Sequence, residues 1–327
     1  MSRSFTLLIL FSALLIKGLC AQNANSKVEM QAALSSNEST FEEEVKVYDH
    51  SKKQDGYWMY TPKGSTSETK SVVVFIHGYG GYNPMIYGAW IRHLVNQGHV
   101  VIYPRYQKTL YIPKTSKFVP NTVTALKNAL DELESLGYSK QLWEKLDYVV
   151  HSYGGVISSN ITVNHKEYEL PPTNNLMLCA PGSGPFKGGR LAAYDGLAED
   201  INLVVLVNKN DLTVGDAFAR LIFRTAEKVS RKVYVIQNPF KDEEGRLSAG
   251  HNECYALDES FDSGVRNYTA KKALRIAETN HLDTEGYWKI FDLMLQKNDA
   301  FEIFQEGTKE WSIGRKSGSA LEVHHKY

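Results

Sequence analysis

The chain has 327 residues, with 37 Lys and Arg against 37 Asp and Glu, so its formal net charge is zero. That balance excludes a basic nucleic-acid surface as the main role, and equally an acidic solvating tail. The length suffices for one large or two ordinary domains with a well-buried core.

The N-terminus carries a targeting pattern. Arg3 precedes a nearly unbroken apolar run over residues 5–16, Lys17 ends it, and Gly18, Leu19, Cys20 and Ala21 offer small residues for cleavage. The run is too short for a comfortable membrane span. Residues 1–21 read as a signal peptide that sends the mature chain to the extracellular space or the periplasm. Acylation at Cys20, as in a lipoprotein, is the alternative, and Lys17-Gly18-Leu19 fits it poorly. Residues 22–40 form a polar linker, and residues 41–327 a single domain. Processing leaves Cys179 and Cys254, for which a disulfide and two free thiols are both open. Asn37, Asn160 and Asn267 begin glycosylation sequons, Asn160 on a predicted helix.

Alternation predicts antiparallel strands over 45–48 and 56–60, joined by a turn at 52–55. The fully apolar run VVVFI, residues 72–76, predicts a strand covered on both faces. It stops in His77-Gly78-Tyr79-Gly80-Gly81, after which residues 84–96 have helical spacing. A buried strand follows at 99–103, a loop at 109–118 and a helix at 119–136. Next come the strand at 147–150, a sharp turn, and a helix that gains its apolar face from Val156 onward. Strands at 175–178, 201–207 and 232–237, a helix at 215–228 and a closing amphipathic helix at 284–297 complete the series. Strands alternating with helices, the central ones apolar, predict an α/β fold: a mostly parallel sheet with helices on both faces. The link between the Cys179 strand end and the strand at 201 is too short for a large lid domain. The binding cleft is therefore expected to be open, outside the carboxyl ends of the strands, with Tyr79, Tyr82, Tyr153 and Trp90 as its aromatic walls.

The chemistry centres on the turn His151-Ser152-Tyr153-Gly154-Gly155. A serine at the tip of a strand–turn–helix elbow is held in a strained conformation with its hydroxyl above the sheet. The common pattern is G-x-S-x-G; here Val150 replaces the first glycine, placing a branched Cβ where strand and helix nearly touch. A serine hydroxyl needs a base, and the base an acid to set its tautomer. Asp211 follows the strand at 201–207, and His251 follows the last predicted strand in a small-residue turn. The order Ser152, Asp211, His251 is the one this architecture requires. Asp211 also reads as a helix cap. His281 is the rival base; His77 and His151 precede glycine turns and read as structural; Asp147 lies at the wrong end of its strand. Two backbone amides, of Tyr79 and Tyr153, are the expected oxyanion donors. HGYGG has neither P-loop nor dinucleotide spacing, and no cluster has zinc spacing, so neither a cofactor nor a metal is expected.

Over residues 45–297 the chain resembles the α/β-hydrolase superfamily. The resemblance rests on FIHGYGG at 75–81, VHSYGG at 150–155, VNKND at 207–211 and SAGHN at 248–252. Segments 83–87, 102–107 and 286–289 are similar to secreted members of its dienelactone-hydrolase-like and cutinase/lipase-like branch. The resemblance implies a Ser-His-Asp hydrolase working through an acyl-enzyme. Nucleophile, base, acid and the Tyr79 and Tyr153 amides carry over onto matching positions. Dienelactone hydrolases proper use cysteine, so Ser152 implies an esterase or lipase. The expected partner is a small-molecule or lipid-like ester, with transient contact to a lipid surface and no nucleic acid. Two other readings stand beside it: a catalytically inactive binding protein of the same fold, and a peptidase or thioesterase with the same triad.

Overall fold

Runs of β-branched and aromatic residues build the centre of the molecule. The computed structural model describes residues 45–64, 66–241, 246–280, 282–296, 301, 310–312 and 319–325. The expected signal peptide and linker, Cys20, Asn37 and His281 lie outside the described residues. Lys46–Tyr327 groups as one unit.

Strands β1 (Val45–Asp49), β2 (Tyr57–Pro62), β3 (Val72–Ile76), β4 (Val100–Pro104), β5 (Leu146–His151), β6 (Thr173–Cys179), β7 (Asn202–Asn208) and β8 (Arg231–Gln237) follow in chain order. A two-residue pairing, β9 (Phe240–Lys241) with β10 (Arg246–Leu247), stands apart. Two late strands, β11 (Glu310–Ser312) and β12 (Ser319–His324), return to the sheet. The sheet order is β1-β2-β4-β3-β5-β6-β7-β8-β12-β11. β4, β3, β5, β6, β7 and β8 run parallel, while β2, β12 and β11 pair antiparallel at the flanks. The sequence predicts no strand after 237; β12 instead lies on β8, with Leu321 opposite Gln237 and Val323 opposite Val235.

Period-two alternation splits the sheet into two faces. Val72, Val74 and Ile76 of β3 share a core with Leu146, Tyr148 and Val150 of β5 and Leu203, Val205 and Val207 of β7. Helices α2 (Phe118–Ser135), α3 (Tyr153–Val163) and α4 (Ala217–Thr225) cover that face with Leu126, Val156, Ile157 and Ile222. Phe75 points the other way, edge-on to Trp90 of α1 (Gly88–Asn96). α6 (Lys289–Leu295) covers the same side, and its Met294 carbonyl accepts from Asn175 Nδ2 at 3.0 Å. All five β3 side chains are buried, each contributing about 1.5–3 kcal/mol by leaving water. No helix among the described residues is long and apolar enough to cross a membrane.

Three local differences from the expected elements have clear causes. Pro84–Tyr87 is a 3-10 turn, opened by Pro84 and capped by Asn83, whose side chain accepts from the Met85 amide; the α-helix starts at Gly88. The closing helix is wound as a π-helix over Leu282–Trp288 and becomes α-helical, as α6, from Lys289. A helix α5, Tyr268–Ile276, is not among the expected elements; its buried positions are only Thr269, Ala270 and Ala273, small residues that make a weak apolar stripe. Cys179 and Cys254 are free thiols, both buried. Asn160 is buried and donates to the Gly189 carbonyl, and Asn267 caps α5 and donates to the Gly80 carbonyl at 2.7 Å.

Candidate active site

The elbow is built by close packing. Ser152 sits between β5 and α3 with φ 55° and ψ −118°, a left-handed conformation that costs a non-glycine residue about 1–3 kcal/mol. Three backbone bonds hold it there. Its amide donates to the Cys179 carbonyl at 3.0 Å, and its carbonyl accepts from Gly155 at 2.9 Å and Gly182 at 3.1 Å. The tightest approach of helix to sheet falls at Gly154, where an added Cβ would lie 2.2 Å from the Ile76 carbonyl oxygen. Val150 is not at that contact. It stands on β5 opposite Ile76 and Leu178 and joins the apolar core, so the valine in the elbow is absorbed as packing.

The three residues singled out for nucleophilic chemistry meet. His251 Nε2 lies 2.9 Å from Ser152 Oγ, and His251 Nδ1 lies 2.7 Å from Asp211 Oδ2. The consistent tautomer has Nδ1–H donating to the carboxylate and Nε2 accepting from the serine hydroxyl. Asp211 does not cap a helix, since α4 begins at Ala217 with Asp216 at its N-cap; it closes a local turn instead. Its other oxygen accepts from the amides of Thr213 and Val214, at 2.8 and 3.1 Å. Burial alone would raise its carboxyl, but His251 and these amides hold it below the ordinary value. Asp147 lies elsewhere, buried at the start of β5 and accepting from Ser71, Asn174 and Asn175.

Tyr79 and Tyr153, the expected oxyanion donors, both line the serine's cleft. Gly78 donates its amide to Tyr87 Oη, Gly80 to Gln107 Oε1, and Gly81 to the Gly78 carbonyl. Between them the Tyr79 amide has no partner among the described residues. Gly80, which follows it, is left-handed at φ 80°. The Tyr153 amide opens α3, where no preceding turn exists to bond it. Both therefore remain available as donors.

The sequence reads His151 as structural, and its contacts are more specific than that. Burial pushes its ring down to about 3, so it is neutral near pH 7. Nε2–H donates to the backbone carbonyl of His251 at 2.8 Å, and Nδ1 accepts from Tyr87 Oη at 2.7 Å. Tyr87 Oη in turn accepts the Gly78 amide at 3.2 Å. The relay runs from the glycine-rich loop to the backbone of the base. His77 stacks 4.1 Å from Tyr106, with its ring nitrogens against the carbonyls of Gly78 and Arg105.

The cleft above Ser152 measures about 540 Å³. Tyr79, Tyr153, Phe186 and Leu110 form much of its wall, Tyr79 stacking 5.1 Å from Phe186. Tyr79 Oη donates to the Leu110 carbonyl and Tyr153 Oη to that of Gly188, which ties the walls to their loops. Trp90 and Tyr82 do not line it. Trp90 is buried on the opposite face of the sheet against Phe75, and Tyr82 is buried beside His77. Among the described residues no large lid covers the opening; the segment between β6 and β7 is an irregular loop.

Buried histidines give the fold an acid limit. Burial lowers His99 to about 4 and His151 to about 3, from an ordinary 6.5. Each folded-state value lies below the unfolded one, so the stabilisation is complete above pH 6.5 and is lost as pH falls towards these values. The loss is at most about 1.4 kcal/mol per pH unit for each ring. Burial raises Asp147 and Asp283, and their proton uptake in the folded state offsets part of it. Thermal melts at pH 7, 6 and 5 are expected to show falling midpoints; midpoints that rise towards pH 5 would refute the neutral rings.

No protein-family model matches the chain, and no curated protein matches it by sequence. Solved structures do. A putative dienelactone hydrolase from Klebsiella pneumoniae is 12% identical, covering 77% of this chain and 99% of that one with a TM-score of 0.50. Carboxyl esterase 2 from the mycorrhizal fungus Tuber melanosporum is 17% identical, covering 70% and 84% with a TM-score of 0.47. Thermogutta terrifontis esterase 2, phosphorylated by paraoxon, is 15% identical, covering 74% and 95% with a TM-score of 0.45. The likeness to the Klebsiella structure, the mostly parallel sheet and the strand–turn–helix elbow after β5 agree: the chain has the α/β-hydrolase fold.

Proposed function

We propose that the protein is a serine hydrolase cleaving carboxylic esters through an acyl-enzyme. The observation that carries the reading is the continuous hydrogen-bond line from Ser152 Oγ through His251 to Asp211 at the floor of an aromatic cleft. His251 takes the Ser152 proton as Oγ attacks the ester carbonyl, and Asp211 stabilises the imidazolium. The Tyr79 and Tyr153 amides receive the oxyanion. Collapse expels the alcohol, which takes its proton from His251. Water, activated by the same ring, then releases the acid. An open cleft with apolar walls suits acyl or aryl groups. Export belongs to the same proposal, supported by the apolar run at residues 5–16. Contact with a lipid-like substrate surface is supported by Tyr111 and Ile112, both exposed beside the opening.

A dialkyl p-nitrophenyl phosphate tests the mechanism directly. One equivalent of p-nitrophenol is expected, with a dialkyl phosphoryl group on Ser152 by peptide mass spectrometry. His251→Ala should slow that labelling strongly. A wild-type protein that leaves Ser152 unmodified would sink the reading and favour an inert binding protein of the same fold.

A further inference from the structure

The cleft has one charge facing it that the hydrolytic step does not use. Lys272, on the second turn of α5, lines the wall and is half-buried. Among the described residues it has neither a hydrogen bond nor an ion pair. The turn before it is fixed over the loop that carries Tyr79. Asn267 donates to the Gly80 carbonyl at 2.7 Å, and Thr269 Oγ1 approaches the Tyr79 carbonyl at 3.4 Å. Lys272 lies three residues beyond Thr269, on the same side of the helix, and lines the same cleft as Ser152.

The surrounding charges point the same way. The chain as a whole is neutral, yet the segments at the cleft mouth are not. Residues 107–118 carry Lys108, Lys114 and Lys117 and no carboxylate, and residues 182–191 carry Lys187 and Arg190 and no carboxylate. α5 adds three basic residues, Lys272 among them, and no acidic one. Three of the carboxylates close by are paired with cations, Asp211 with His251, Asp216 with Arg220 and Asp262 with Arg266, while Glu253 accepts from Ser248 Oγ and the Gly250 amide. A cleft walled by low-polarity rings focuses the field of such charges on whatever enters it.

Building on the ester-hydrolase reading, we propose that Lys272 recognises a single negative charge on the substrate, so that the preferred esters are monoanionic, such as half-esters of dicarboxylic acids. An ammonium is a compact point charge, matched by one carboxylate. The aromatic wall takes the apolar part of the same molecule, and the basic mouth draws the anion in from solution. Hydrogen bonds to charged groups are the stronger kind, and loss of the cation should lower the preference for the anion by about tenfold.

Two matched pairs test this in the full chain. Monoethyl adipate and ethyl 6-methylheptanoate differ by a carboxylate against an isopropyl group on the acyl side. 4-Carboxyphenyl acetate and 4-isopropylphenyl acetate do so on the alcohol side. The reading is the ratio of kcat/KM, anionic over neutral, in the wild type, Lys272→Met and Lys272→Arg, with Ser152→Ala as background. The expected result is a ratio that falls about tenfold in Lys272→Met for at least one pair and is restored in Lys272→Arg. A Ser152-dependent ratio unchanged in both pairs overturns the inference and leaves the hydrolase reading standing. No Ser152-dependent turnover of any of the four esters overturns both.

Discussion

Ser152→Ala is expected to lower kcat on p-nitrophenyl esters by about 10⁴–10⁶-fold, and Asp211→Asn by about 10⁴-fold. The two losses have different origins. Without Oγ no acyl-enzyme forms, and what remains is the ~10³–10⁴-fold enhancement that amide donors and binding supply alone. In Asp211→Asn the nucleophile is intact. The new side-chain amide would donate to His251 Nδ1 where the carboxylate now accepts at 2.7 Å, leaving the ring in the tautomer whose Nε2–H cannot accept the Ser152 proton. The double variant should therefore be no slower than Ser152→Ala. Steady-state rates of the three proteins check this. Additive losses would mean that the two side chains act separately, and the line from Ser152 to Asp211 would not be the operative one.

Gly154→Val should cost about 3 kcal/mol of stability or more, and activity with it. The added Cβ meets only backbone: the Ile76 oxygen at 2.2 Å, the Ile76 carbon at 2.9 Å and the His77 oxygen at 3.0 Å. No rotamer relieves that, so α3 must lift off β3 and carry Ser152 with it. The reverse exchange nearby is expected to fail too. Val150→Gly restores the common elbow pattern but removes a fully buried side chain, costing about 2–4 kcal/mol. Urea unfolding of both variants measures these values. A Gly154→Val protein within about 1 kcal/mol of the wild type would show that the helix does not sit this close.

The parts of the fold that are legible in the sequence are those in which one physical signal dominates. β3 and β7 are continuous apolar runs because both faces of a parallel sheet are covered. Ser152, Asp211 and His251 can be picked out because each follows a strand at the same end of the sheet, and the structure brings them within hydrogen-bond reach of one another. What escapes has weak or ambiguous signals. α5 buries alanines and a threonine rather than large apolar residues. β12 presents only Leu321 and Val323 to the core among its described side chains. Trp90 reads as a cleft residue because an aromatic side chain does not announce which face of the sheet it covers. Lys272 is invisible for the same reason as α5: with no helix expected there, nothing places it near the serine.

The hydrogen bonds of Tyr87 and His151 have a consequence for how the site fails. The loop presenting Tyr79 and the turn presenting His251 share one set of bonds through these two side chains. If the His251 turn swings aside, the buried His151 Nε2–H loses its acceptor, and if the loop does, Tyr87 Oη loses the Gly78 donor. The oxyanion donors and the base are thus interlocked. A partial loosening that leaves a base but no oxyanion donors, or donors but no base, therefore carries an unsatisfied buried polar group, at a cost of about 1–3 kcal/mol. Heat or denaturant should remove the activity in one step, ahead of the global unfolding of the sheet beneath.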